Sequence, residues 1–125
     1  MNLLGIDFGE KKIGLALATG PLAEPIGVIK AIRDRQQAIR SIKRICQEQE
    51  IEKIILGISE GKMAEKTKKF AQELGEIIGL PIEFQDETLT TNEAVAKMRE
   101  IGKRVKDEDA ISAALILQAY LDKSV

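Results

Sequence analysis

The chain has 125 residues, of which 44% are hydrophobic and 31% charged, with a formal net charge of -1. This balance is typical of a water-soluble globular protein, and the length fits a single domain spanning residues 1–125. No apolar run approaches the roughly 20 residues of a membrane span, and no signal-peptide pattern opens the chain. We therefore expect a cytoplasmic protein with no membrane partner.

Histidine is absent and Cys46 is the only cysteine. This composition excludes Ser-His-Asp triads, Cys-His dyads and histidine-based zinc sites. Cys46 stands among the apolar positions of a predicted helix, so we expect a buried thiol. Any chemistry must then use carboxylates, lysines, hydroxyls or a hard metal ion. Because the charges nearly cancel, a nucleic-acid partner would have to be bound by local basic patches.

Three strands are predicted before any helix. Residues 3–7, 12–18 and 25–30 form apolar runs separated by glycine-containing turns. Asp34 then predicts the N-cap of a helix ending near Glu50. The apolar positions of this helix follow a helical spacing and are Ala38, Ile42, Ile45 and Cys46.

The second half of the chain alternates between strands and helices. A short strand, Lys53 to Leu56, is closed by Gly57, and a helix runs from about Met63 to Ile78. A fifth strand covers Pro81 to Gln85. Two helices follow, the first opened by the capping box Thr90-Thr91-Asn92-Glu93 and the second starting near Glu108. The predicted apolar faces of the last three helices consist of Phe70, Ala71, Leu74, Ile77 and Ile78, then Ala94, Val95, Met98 and Ile101, then Ala110, Ala114, Leu117 and Leu121.

The predicted element order βββαβαβαα indicates an α/β fold. Three consecutive strands favour an antiparallel meander, while strands linked through helices favour right-handed crossovers and parallel pairing. We therefore expect a mixed five-stranded sheet with helices on its faces.

Three acidic clusters fall at the ends of these elements. Asp7 ends the first strand, Asp86-Glu87 follow the fifth, and Asp107-Glu108-Asp109 open the last helix. Because successive side chains of a strand point to opposite faces, only one of Asp86 and Glu87 can share a face with Asp7. The strand pattern leaves open which one does.

Converging carboxylates would require a cation. Two of them about 4 Å apart repel by around 4 kcal/mol at an effective dielectric of 20, and Mg²⁺ or Mn²⁺ relieves this repulsion. Two ions bridged by Asp7 would support in-line displacement at phosphorus without histidine. Each cluster also has a plainer interpretation: a turn aspartate, surface acids ahead of a capping box, or acids that stabilise the first turn of a helix.

Basic residues flank the acidic clusters on both sides. Lys11 and Lys12 occupy the first hairpin, and Lys103, Arg104 and Lys106 precede the last helix. These side chains are candidates for contacts with nucleic-acid phosphates. The alternative is that they form ordinary solvated surfaces.

Three segments together resemble the YqgF (RuvX) family, namely residues 4–16, 86–91 and 109–121. The resemblance covers almost the whole chain and implies an RNase H-like fold in a family of pre-16S rRNA processing and Holliday-junction-resolvase-like nucleases. It implies that Asp7, Glu87 and Asp109 are the catalytic, metal-binding carboxylates, with Mg²⁺ or Mn²⁺ as cofactor. It therefore favours Glu87 over Asp86.

Two positions depart from the family pattern. Thr88 replaces an arginine that follows the family's glutamate, and the segment from Gly57 to Met63 is shortened relative to the usual loop. Both departures bear on substrate preference more than on the acidic centre.

The resulting hypothesis is a metal-dependent nuclease that matures the 5′ end of pre-16S rRNA. Holliday-junction cleavage is the alternative within the same chemistry. Two further alternatives are a phosphate-binding module like the actin and sugar-kinase proteins, and a nucleic-acid-binding protein without catalysis. The sequence leaves monomer and homodimer both open.

Overall fold

The computed structural model describes residues 1–30, 34–59, 61–86, 100 and 108–123. The predicted helix that begins at Thr90 lies outside these ranges, as do Glu87, Thr88, Lys103, Arg104 and Lys106. Eight elements fall within them: β1 (Leu3–Phe8), β2 (Lys12–Ala18), β3 (Glu24–Lys30), α1 (Arg35–Glu48), β4 (Lys53–Ile58), α2 (Lys62–Ile78), β5 (Ile82–Asp86) and α3 (Glu108–Lys123).

The five strands form one mixed sheet in the order β3-β2-β1-β4-β5. β2 is antiparallel to both β1 and β3, whereas β4 is parallel to β1 and β5. The predicted meander and parallel crossovers are therefore confirmed. Within the ranges above, no helix is long and apolar enough to cross a membrane.

Each face of the sheet carries its own hydrophobic core. Leu4 and Ile6 of β1 belong to a cluster with residues of α1 and α2, and we call this side the α1/α2 face. Leu3 of β1 and Ile55 of β4 belong to a second cluster with α3, on what we call the α3 face. The alternation of strand side chains thus divides the core in two.

The ends of α1 and α2 follow local signals in the sequence. The carboxylate of Asp34 accepts a hydrogen bond from the backbone N–H of Gln37 at 3.2 Å, which confirms the predicted N-cap. Gly79 ends α2 with φ of 78°, and its N–H donates to the carbonyl of Gly75. Ile77, which the spacing places on the apolar face of α2, is 38% exposed.

Four of the five strands differ from their predicted bounds by one or two residues, and β2 matches. β4 continues through Gly57 to Ile58 because β5 pairs with it as far as Asp86. The regular part of β5 starts at Ile82 instead of Pro81, since proline has no N–H to contribute. The carbonyl of Pro81 still accepts a hydrogen bond from the N–H of Ile54 at 2.9 Å.

The C-terminal half of α3 is fixed by buried and half-buried polar contacts. The side-chain carbonyl of Gln118 accepts from the N–H of Ala23 at 2.9 Å, and its amide donates to the carbonyl of Pro21 at 3.0 Å. Lys53 of β4 donates to the hydroxyl of Tyr120 at 3.2 Å. These contacts hold the C-terminal half of the helix to β4 and to the segment before β3.

Candidate active site at the carboxyl end of β1

Asp7 lies near the end of β1 on the α3 face. Leu3 faces α3, and the alternation of the strand brings Gly5 and Asp7 to the same side. The Asp7 side chain is half-buried. An aspartate at the carboxyl end of the central strand is in the position where open α/β sheets bind ligands.

Small residues let α3 approach the sheet closely beside Asp7. A Cβ added at Gly5 would come within 2.8 Å of the Cβ of Leu117 and 3.0 Å of the carbonyl oxygen of Ala113. The surrounding contact surfaces include four alanines, namely Ala16 and Ala18 from the sheet and Ala113 and Ala114 from the helix. The distance between sheet and helix is consequently set largely by backbone atoms.

The first turn of α3 rests on Gly14, the residue paired with Asp7. The antiparallel register of β1 and β2 puts Asp7 directly opposite Gly14, so their Cα atoms are about 4.5–5.5 Å apart. A Cβ at Gly14 would collide with the carbonyl oxygen of Asp109 and approach the nitrogen of Ala110 to 3.0 Å. The structure thereby brings together Asp7 and Asp109, which are remote in sequence.

Asp86 lies on the other side of the sheet. Ile82 packs against the cluster on the α1/α2 face, and Asp86, four residues later in the same strand, points the same way. Its side chain is exposed. Of the two neighbouring acids, Asp86 therefore does not share a face with Asp7. Glu87 stays a prediction because it lies outside the described residues.

The residues present have the chemistry that a hard divalent cation requires. Asp7 and Asp109 supply carboxylate oxygens, the ligands preferred by Mg²⁺, and the absent side chain at Gly14 is what allows the two backbones to come together. In the part of the chain that the structure describes, no three acidic or cysteine side chains are grouped closely enough to hold a metal. A complete site of the predicted kind would need Glu87 as well.

Glu10, the acid next in sequence to the site, has a different role. Its carboxylate accepts a hydrogen bond from Lys66 of α2, and this bond, together with the charge of Lys66, lowers the pKa of Glu10. Gly9 beside it fits a tight turn, because an added Cβ would come within 2.7 Å of the carbonyl oxygen of Lys12. The Glu10–Lys66 ion pair ties the β1–β2 turn to α2.

Two lysines face each other at the open edge of the site. Lys12 of β2 is directly opposite Lys30 of β3, and by strand alternation both lie on the α3 face, as Gly14 does. Both side chains are exposed, as is that of Lys11 in the turn. Two lysines on the same face as Asp7 are candidates for contacts with nucleic-acid phosphates.

Sequence reasoning identified Lys11 and Lys12 but missed Lys30. The only signal was its position at the end of a predicted strand. Its pairing with Lys12 depends on the register of β2 and β3, which shifts at a bulge between Leu15 and Ala16. A bulge of this kind cannot be located from the hydrophobic pattern alone.

The fold is shared with junction-resolving nucleases of the RNase H-like class. Thermus thermophilus RuvC, solved in complex with a Holliday junction substrate, superposes with a TM-score of 0.70 at 15% identity, covering 100% of this chain and 97% of that one. The fowlpox virus resolvase, solved with Holliday junction DNA, gives a TM-score of 0.61 at 17% identity, covering 100% and 99%. At these identities the likeness establishes the fold.

Sequence comparisons define the family within that class. The family model described as "RuvX: Holliday junction resolvase" matches residues 1–123. Relatives named "Putative pre-16S rRNA nuclease" include one from Anaeromyxobacter sp. (strain Fw109-5), 38% identical over 98% of this chain and 97% of its own length. Another, from Clostridium kluyveri, is 38% identical over 98% of both chains. The chain belongs to the RuvX family, which confirms the resemblance seen in its motifs.

Proposed function

We propose that this chain is a divalent-metal-dependent nuclease acting on structured nucleic acid, with Asp7, Glu87 and Asp109 holding the cation. The observation that carries this proposal is the close approach of α3 to Gly14, which brings the backbone of Asp109 beside Asp7. Family membership and the resolvase-like fold support the same chemistry.

The protein's own residues would bind the cation and position the substrate. Asp7 and Asp109 would supply carboxylate oxygens at the end of β1, and Glu87 would be the third carboxylate there. A bound Mg²⁺ or Mn²⁺ would supply charge stabilisation at the phosphorus and activation of a water. Lys12 and Lys30, along the adjacent edge, would contact phosphates of the nucleic-acid strand and hold it in register.

For the substrate, we propose the 5′ end of pre-16S ribosomal RNA. The support is the name given to relatives that match this chain over nearly their whole length. Ribosomal RNA is processed in the bacterial cytoplasm, so we expect the protein to act there. Holliday-junction cleavage is the second candidate, favoured by the description of the family model. Because junction resolution requires two coordinated cuts, that activity would call for a homodimer.

Side-by-side cleavage of both substrates tests the proposal. The purified chain is incubated with a 5′-extended 16S rRNA precursor and with a four-way DNA junction, in Mg²⁺, in Mn²⁺ and in EDTA. We expect trimming of the RNA that depends on the cation and is abolished by Asp7→Asn, while the melting temperature of that variant is unchanged or raised.

The other outcomes identify the alternatives. Paired symmetric nicks in the junction with intact RNA would favour the resolvase. ATP binding measured by calorimetry, without any cleavage, would favour a phosphate-binding module. If nucleic acid is bound but neither substrate is cut in either cation, the chain is a binding protein without catalysis and the proposed function is wrong.

A further inference from the structure

Gln85 of β5 is a buried polar residue with an unsatisfied atom. Its side chain is only 4% exposed, and its carbonyl oxygen Oε1 has no hydrogen-bond partner. A buried acceptor without a partner costs about 1–3 kcal/mol of stability. Such an atom in a folded protein calls for an explanation, and a bound ion provides one.

The sheet register puts Gln85 level with Asp7. Ile6 pairs with Leu56 on β4, and the next residue of β4, Gly57, pairs with Gln85. Asp7, Gly57 and Gln85 therefore form a row across three neighbouring strands. Gln85 differs by one position from Asp86, which lies on the α1/α2 face, so its side chain lies on the α3 face with Asp7.

The residue between them has no side chain. Neighbouring strands are about 4.8 Å apart, so the Cα atoms of Asp7 and Gln85 are separated by roughly 10 Å. Gly57 lies in the middle of this gap. No side chain of β4 therefore stands between Asp7 and Gln85.

A second buried glutamine shows that the unsatisfied oxygen is particular to Gln85. Gln118 of α3 is 8% exposed, and both ends of its amide are engaged. Its Oε1 accepts from Ala23, and its Nε2 donates to Pro21 and to the Asp122 carboxylate at 2.9 Å. A glutamine buried on the α3 face can therefore form hydrogen bonds at both ends of its amide, whereas the Oε1 of Gln85 forms none.

On the basis of the nuclease function above, we propose that Gln85 is a cation-binding residue whose Oε1 supplies a neutral oxygen to the divalent ion held by Asp7. Amide oxygens are ordinary ligands for hard cations. Unlike a further carboxylate, an amide adds an oxygen without adding charge repulsion to the acids around it. β5 would thus supply a neutral oxygen ligand in addition to the carboxylates.

The test compares matched substitutions by their Mn²⁺ affinity, measured by paramagnetic resonance of the free ion in the absence of nucleic acid. Gln85→Met keeps the size of the side chain and removes the oxygen. We expect its Mn²⁺ dissociation constant to rise at least tenfold, while its melting temperature in EDTA is unchanged or higher. Gln85→Glu, which restores an oxygen, should bind Mn²⁺ at least as well as the unchanged protein.

Gln118→Met is the matched control. We expect it to lower the melting temperature, because it breaks three satisfied hydrogen bonds, and to leave the Mn²⁺ affinity unchanged. If Gln85→Met binds Mn²⁺ as tightly as the unchanged protein while Asp7→Asn binds it poorly, the role of Gln85 is refuted and the nuclease proposal stands. If the unchanged protein neither binds Mn²⁺ nor cleaves nucleic acid, the proposed function itself fails.

Discussion

The backbone carbonyl of Asp109 lies against the Cα of Gly14, in the space where any other residue would carry its side chain. Gly14 is in turn the antiparallel partner of Asp7. The two acids are thus brought together through a glycine on a third segment of the chain. Their juxtaposition depends on α3 resting directly on the sheet, which makes this contact the most sensitive point of the candidate site.

Gly14→Ala should damage both stability and activity. The added methyl group collides with backbone, which cannot rotate away as a side chain can, so the first turn of α3 must move. We expect a loss of about 1–3 kcal/mol in the free energy of unfolding. Because displacement of a catalytic group by about 1 Å can cost roughly 100-fold in rate, we also expect cleavage to fall by at least tenfold. Urea unfolding and the RNA cleavage assay measure the two effects.

Gly20→Ala is the control for this substitution. A Cβ at Gly20 meets nothing within 4 Å, so the variant should keep both the stability and the cleavage rate. If Gly14→Ala behaves like Gly20→Ala, α3 does not need its present position for activity.

The two neighbouring acids at the end of β5, Asp86 and Glu87, should contribute unequally to cleavage. Asp86 lies on the α1/α2 face, so Asp86→Asn should retain cleavage within a factor of about three of the unchanged protein. Glu87→Gln and Asp7→Asn should each lose at least 100-fold, as expected when a metal-binding carboxylate is neutralised. Single-turnover cleavage at saturating Mg²⁺ makes the comparison, and a large loss in Asp86→Asn alone would reverse the assignment.

Lys30→Ala should weaken binding to nucleic acids of different sequence by about the same factor. Loss of one phosphate contact on a single strand reduces the slope of log affinity against log salt by about 0.7. Binding of RNA in EDTA, measured across a range of salt concentrations, gives this slope. Arg44→Ala is the matched control, since Arg44 is exposed on α1, which packs on the opposite face of the sheet. Equal slopes for the two variants would remove Lys30 from the nucleic-acid contact.

Cys46 should make the protein less stable at alkaline pH. Burial raises the pKa of its thiol from 9.0 to about 11, so the unfolded chain ionises first. Below pH 9 the thiol is neutral in the folded and the unfolded chain, so it leaves the free energy of unfolding unchanged. As the pH rises from 9 towards 11, ionisation of the thiol in the unfolded chain lowers that free energy. Between pH 8 and pH 10.5 the unchanged protein should lose about 2 kcal/mol more than Cys46→Ala. Urea unfolding of both proteins at the two pH values measures this difference, and parallel losses would show that the thiol is not the cause.

Features that depend on short stretches of chain were predictable from the sequence. The Asp34 cap, the end of α2 at Ile78 and the buried strand β1 each involve neighbouring residues, and the structure confirms them. The predicted pairing of the strands followed from the order of elements and the handedness of crossovers. Family motifs then supplied Asp7, Glu87 and Asp109, whose roles in catalysis and metal binding stay predictions.

Features that depend on register were not predictable. The position of Asp86 on the α1/α2 face, the pairing of Lys30 with Lys12 and the alignment of Gln85 with Asp7 all require knowing which residues are opposite each other. A shift of one residue would reverse each of these conclusions. The hydrophobic pattern identifies a strand well but fixes its ends only to within a residue or two.

The division of the core between the two faces of the sheet has a consequence for adaptation. Residues packed between the sheet and α1 and α2, such as Ile42 and Leu74, belong to a different core cluster from the small residues beneath α3. Substitutions at such positions should change heat tolerance more than the chemistry at the end of β1. Substitutions that raise the melting temperature should therefore be found on the α1/α2 face more often than among the glycines and alanines under α3.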